Sequence, residues 1–503
     1  MAGEGSEGGV GSKSEGRALF RTGTFGTEGY WSEAVGLGDG LSASGFTIFD
    51  ALGLGMQIDG SAIGGLGVRI ADELTTDLSP GNAPTLREPE RFIDALQRGA
   101  IVGLTVVDTN GDEALDIASG DRVGVTCALC HSIVDGADYA GDLAMLPGSV
   151  GARVDGPAPD QLSVAGLFAE ASNSRALLPY LPLSHGTIGG EPISRTGSFA
   201  SRASSEAEID ALLRDESAFP RGQWDMMPDG IGAPVIMPAL YDIRRSAPYG
   251  VAGEFAEPTD AVNAHLTLGL DPTTLLTIPG TIFMDGLAPG IGEEVRTAFD
   301  GVIMDTGVLA PAGGFPYVNA PQSGTPGLPA TPVGLRAEFR PLSLVSAYLS
   351  GLVPMAPEAG DPAAVVRGES IYLANCASCH GVDLGAGVLP SVPLASLLGN
   401  YTPTTLLARG FPYTDVLDDR LTTFDDRLVL FDHVFTQNPI PAAGRTIPTP
   451  HLMGLHLRTR LLHDGSAASL DDLLDSVRGA GAPHAFYVDG QSRTDLVEFL
   501  TRD

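Results

Sequence analysis

Val123-Gly-Val-Thr-Cys127-Ala-Leu-Cys130-His131 and Cys376-Ala-Ser-Cys379-His380 are the two stretches on which the reading of this chain turns. They hold all four cysteines of the 503 residues, each pair spaced Cys-x-x-Cys and followed at once by a histidine. That spacing sets two thiols on one turn of helix, where each can add to a vinyl group of a haem, and the next residue presents an imidazole to the iron. The cofactor expected is two covalently bound haem c groups, on Cys127 and Cys130 and on Cys376 and Cys379, with His131 and His380 as proximal iron ligands. The competing readings explain less. Two zinc-binding pairs usually stand roughly 15 to 20 residues apart, far closer than these. A thioredoxin-like pair needs neither the following histidine nor a second copy. A disulfide between such near neighbours removes little chain entropy.

Composition narrows the function further. With 62 acidic residues against 29 basic ones, the net charge of −33 argues against binding nucleic acid or an anionic membrane surface, both of which need clustered Lys and Arg. A 43% hydrophobic content is enough to bury a core. No run of about 20 apolar residues occurs, so no integral membrane segment is expected. Thioether attachment of haem takes place outside the cytoplasm, which predicts a periplasmic or extracellular protein. Met1-Ala-Gly-Glu-Gly-Ser-Glu lacks the basic and apolar regions of a signal peptide, so a leader is expected to have been removed or to lie upstream.

Along the chain, residues 1–16 are mostly Gly, Ser and Glu and read as a flexible tail. Residues 17–308 read as a first haem domain with large insertions, 309–341 as a Pro- and Gly-rich connection, and 342–503 as a C-terminal cytochrome c domain. Helical patterns fall at 88–98, 205–214, 342–352, 362–379 and 493–500, with brief β-like runs such as Gly103-Leu-Thr-Val-Val-Asp108. The fold class is therefore mainly α, two cytochrome c-like domains, loop-rich, with minor β-hairpins. Asp108-Thr-Asn-Gly-Asp-Glu-Ala-Leu-Asp116 spaces its oxygens like a calcium loop, but Glu113 and Ser119 stand where that loop needs Gly and Glu. A hairpin turn at Asn110-Gly111 is favoured over calcium.

Beyond the two motifs, the chain resembles the bacterial di-haem cytochrome c superfamily, which includes the di-haem peroxidases and related oxidoreductases. The resemblance rests on Gly16-Arg-Ala-Leu-Phe-Arg-Thr-Gly-Thr-Phe-Gly-Thr-Glu-Gly-Tyr-Trp31, on Val123 to His131, and on Ile447-Pro-Thr-Pro-His-Leu-Met-Gly-Leu followed by Leu461-Leu-His463-Asp-Gly-Ser. A degenerate echo of that ending runs from Pro238-Ala-Leu to Ala247-Pro-Tyr-Gly-Val-Ala-Gly-Glu-Phe255, implying two related haem units. In these relatives a distal ligand stands at a set offset after the His-Asp-Gly histidine. Counted from Val251, its counterpart in the echo, that offset reaches His265, the candidate distal ligand of the first haem. Counted from His463 it reaches Val477, which cannot bind iron. His484 and His463 are then the leading candidates for the second haem, ahead of His451, His456 and Met453, with an open iron face as the other option. His185, His433, Met226 and Met227 receive no role.

The sixth ligand decides the chemistry, since two filled axial positions favour electron transfer and an open face admits a small oxidant. The function expected is a di-haem c-type cytochrome exchanging electrons with a redox partner protein. The alternative is a di-haem peroxidase-like oxidoreductase with one open iron. Glu254, Glu257 and Asp260 are candidate proton donors for that alternative, with a solvated acidic face as their ordinary reading. Trp31 and Trp224 read as core or rim packing, with a place beside a haem as the functional reading of Trp224. Arg340 and Arg458 are candidate partners of haem propionates.

Overall fold

A computed structural model describes residues 8–79, 81–184, 187–188, 191–192, 194, 196–230, 232, 234–246, 249, 258–287, 291–323, 335–384, 391–393, 446–462, 465, 467–479, 484 and 486–502. In chain order, the elements that position the two motifs are α1 (Gly8–Thr22), α2 (Pro89–Gln97), β1 (Leu104–Val107), β2 (Arg122–Val125), α3 (Ala128–His131), β3 (Ser132–Val134) and β4 (Arg153–Asp155). They are followed by α4 (Glu206–Leu213), α5 (Pro258–Ala264), α6 (Phe339–Leu349), α7 (Pro362–Asn375), α8 (Ala377–His380) and α9 (Gly490–Arg502). The chain is mainly helical and loop-rich, and among the described residues its strands pair only in twos. Among the described residues no helix is long and apolar enough to cross a membrane.

Local chemistry explains several of these boundaries. Pro at the first helical position starts both α2 and α7, where a missing N–H costs nothing, and Asp361 caps α7 by accepting from Ala363 N. Ser205 and Glu208 form a reciprocal capping box on α4. Strands β1 and β2 form an antiparallel hairpin with Leu104 opposite Val125 and Val107 opposite Arg122. In the loop between them the carboxylates turn inward: Asp108 accepts from Gly111 N and Glu113 N, and Asp121 from Thr109 N and Asp116 N. The strands do form a hairpin, but the 14 residues 108–121 join them in place of the tight turn expected at Asn110-Gly111.

The same helix crossing occurs twice. α1 packs on α6 through Gly16, where a Cβ would lie 2.2 Å from Leu344 O, and α7 packs on α9 through Gly368, where a Cβ would lie 2.0 Å from Asp495 O. Only a residue without a side chain permits such an approach. Four residues beyond each contact, one turn of helix along, stands an aromatic pair: Phe20 with Tyr348 at 5.6 Å, and Tyr372 with Phe499 at 5.2 Å between ring centroids. Ring pairs of this geometry add about 0.5–1.5 kcal/mol beyond the area they bury. Asp155, buried at the end of β4, then joins the first crossing to the segment after His131, accepting from Arg21 Nε, Ser132 Oγ and Tyr348 Oη.

Two expectations change here. The segment read as a flexible tail enters α1 at Gly8, because contact with α6 holds a stretch that composition alone would leave loose. The 342–352 pattern, assigned to the head of the second domain, forms the end of α6 and packs on α1 and α5. By packing it therefore belongs with the first motif.

Trp31 and Trp224 are both buried in one aromatic cluster. Trp31 meets Phe168 at 4.5 Å, and Trp224 touches Phe168, Tyr180 and Phe219. Packing is the role this arrangement assigns them.

Candidate functional site

Each Cys-x-x-Cys-His segment folds as a short helical turn ending at its histidine. All four cysteines are free thiols. Burial pushes Cys127 up to about 11 and Cys130 up to about 12, and Cys376 up to about 11. Thiols that hold their protons this firmly are unlike the acidic, reactive cysteines of redox pairs.

The two motif histidines are held alike. His131 Nδ1 lies 3.0 Å from Pro238 O, and His380 Nδ1 lies 3.0 Å from Pro450 O. A carbonyl only accepts, so in both rings Nδ1 carries the hydrogen and Nε2 keeps its lone pair for a metal. The repeated Pro-x-Leu sequence is the reason the two supports match. Two residues past each proline, Leu240 N donates to Gly156 O and Leu452 N donates to Leu384 O, both at 2.8 Å. Gly156 N in turn donates to His131 O.

His265 is brought to His131. It opens a π-helical turn, His265–Gly269, directly after α5, an irregularity frequent at functional sites. Tyr180 Oη donates to Leu268 O and Gly269 O, Thr267 Oγ1 to Asn263 O, and the Asn263 amide bonds Leu335 O and Ala337 N. His265 Nδ1 lies 2.7 Å from Ala261 O, again leaving Nε2 free. Burial and then the His265 imidazole lower the His131 pKa to about 4, and burial lowers that of His265. Both rings are therefore neutral at pH 7, the form that binds a metal.

His484 is brought to His380. Their ring centroids are 6.3 Å apart at an interplanar angle of 59°. Burial lowers the pKa of both, and His380 lowers that of His484 further. Two imidazoles bound on opposite faces of one metal at about 2.0 Å place their centroids roughly 6 Å apart. The donor set at this pair thus fits one metal ion held between two neutral imidazoles.

The other candidates fall elsewhere. His463, His433, His185, Glu254 and Glu257 lie outside the described residues. Asp260 is not on a solvated acidic face: it is buried, 2.9 Å from the Arg336 guanidinium. Arg340 is exposed and pairs with Glu15 on α1. Met226 packs over Gly269 behind the π-helical turn. Arg458, in contrast, reaches the first motif, donating to Met237 O beside the proline that holds His131 and pairing with Asp160. Tyr241 and His451 form an aromatic contact at 6.3 Å between the two Pro-x-Leu segments, a pairing no sequence pattern announces. Among the described residues no group of three or more His, Cys, Asp or Glu side chains forms a metal cluster.

No family model matches this chain, and no curated protein or solved structure is similar to it.

Proposed function

We propose that the chain is a di-haem c-type cytochrome that transfers single electrons to and from a redox partner outside the cytoplasm. The observation that carries this reading is a second imidazole near each motif histidine, with the 6.3 Å spacing of His380 and His484 suited to one iron between them. Cys127 and Cys130, and Cys376 and Cys379, would hold the two haems by thioether bonds. His131 with His265, and His380 with His484, would be the axial ligands. Bound haem would supply reversible one-electron redox chemistry. The polypeptide's part is to keep four imidazoles neutral and oriented, through the carbonyls of Pro238, Pro450 and Ala261 and the burial of the rings. The peroxidase-like alternative needs an iron face free of protein ligand, and a second histidine near each motif histidine favours the carrier.

Mass spectrometry and electron paramagnetic resonance of protein exported from a haem-maturation-competent host test the proposal. The expected result is a mass excess of two haems and two low-spin irons indifferent to cyanide. His265→Ala and His484→Ala should each convert one iron to high spin. The bare polypeptide mass would refute the reading, and a high-spin iron in the wild type that binds cyanide would replace it with the alternative.

A further inference from the structure

The contact between the two halves of the chain holds a buried polar side chain, Tyr241. The Tyr241 ring is fully buried and clamped between two glycines: a Cβ on Gly156 would lie 2.7 Å from its Cε1, and one on Gly454 would lie 2.6 Å from its Cε2. Its hydroxyl has no hydrogen-bond partner among the described residues. A buried hydroxyl without a partner costs roughly 1–3 kcal/mol, so such an atom marks a place where a partner belongs.

The surroundings say which kind of partner. Gly156, beneath the ring, donates to His131 O. Gly454, above it, leads four residues on to Arg458, whose Nη1 bonds Met237 O at 2.9 Å and Asp160 at 3.1 Å. Asp160 also takes Thr459 N and Thr459 Oγ1, so its charge is shared among several donors. The fork of the guanidinium keeps Nε and Nη2 for a further acceptor. A phenolic O–H and a planar cationic fork that act on each other electrostatically, both tied to the segments that hold His131, suit a carboxylate.

We propose that Tyr241 and Arg458 form a carboxylate seat for a propionate of the haem on Cys127 and Cys130, so that the chain's second half completes the first half's site. This rests on the di-haem reading and adds to it a dependence of one centre on a residue far along the chain.

The experiment uses the full-length haem-loaded protein, with resonance Raman of the propionate bending modes and a redox titration resolving both centres. Tyr241→Phe removes one hydrogen and little volume. It should shift the propionate mode of one haem and leave the other in place. Arg458→Gln should move the redox equilibrium of the same centre about tenfold toward the oxidised form, about 59 mV for a one-electron couple, since losing a nearby positive charge favours the more positive oxidised iron. A two-haem protein whose propionate modes and potentials are untouched by Tyr241→Phe overturns the seat, as does an equal shift of both centres. A protein without covalent haem overturns the seat together with the reading beneath it, and mass alone distinguishes that case.

Discussion

Replacing Gly368 with Ala tests the helix crossing that carries the second motif. The added methyl would begin 2.0 Å from Asp495 O and 2.7 Å from Phe499 Cβ, where an ordinary contact starts at 3.4 Å. The obstacle is the backbone of α9, so no side-chain rotation relieves it. The helices must separate, and separation strains the Tyr372–Phe499 ring pair and the two-pronged Arg367–Asp495 pair at 2.7 and 2.8 Å. On propensity alone Gly→Ala inside a helix gains about 1 kcal/mol. Overpacking costs about 1–3 kcal/mol, with this site at the upper end because backbone is struck, so the net expectation is a loss of about 2 kcal/mol. Hydrogen exchange of the α7 and α9 amides is the assay, because it reports local opening rather than unfolding of the whole chain. About 2 kcal/mol corresponds to roughly 30-fold faster exchange. Gly65→Ala, whose Cβ would meet nothing within 4 Å, is the control and should be neutral or protective. Unchanged or slower exchange in Gly368→Ala would show that the crossing is not as close as described.

Two further expectations concern charge. Arg336→Ala leaves Asp260 buried without its guanidinium, which should cost about 3–5 kcal/mol in urea denaturation. Because α5 carries Asp260 and leads into His265, the same variant should broaden the His265 ring signals in NMR; a full-stability variant would show that the pair is dispensable. Two hydrogen bonds from Arg367 and one from Gln491 hold the Asp495 carboxyl at about 2, below its ordinary 3.8. A depressed carboxyl stabilises the fold above its unfolded pKa and loses that contribution as pH falls through the folded one, here between about pH 4 and pH 2. Asp495→Asn should flatten the acid limb of an α7–α9 unfolding profile in that window, and an unaltered limb would mean the pair contributes no pH dependence.

Much of the candidate site was legible in the chain because the chemistry needs fixed spacing. Two thiols and an imidazole within five residues are recognisable wherever they fold, whereas the carbonyls of Pro238 and Pro450 that support the two histidines are visible only in the fold. Counting along the echo arrives at His265, whose imidazole lies near enough to His131 to lower its pKa. Partnership between distant segments was less accessible. The apolar periodicity of α6 announces a face to be buried but not the helix that buries it, so it was grouped with the second motif although it packs on α1. The segment around Gly16 reads as loose by composition, and its order comes from contact with α6. His484 could not be ranked above His463 by sequence, since its distance from His380 depends on how the intervening chain returns.

The sequence by itself determined the spacing of the two Cys-x-x-Cys-His motifs, the helical class of the chain and its acidity, because covalent geometry and composition act within a few residues or over the chain as a whole. The tertiary structure decided which imidazole faces which, that glycines set the two helix crossings, and that Arg458 joins the first motif's surroundings. Those are contacts between segments a hundred or more residues apart, chosen by shape and burial summed over the fold, and no local pattern encodes such a sum.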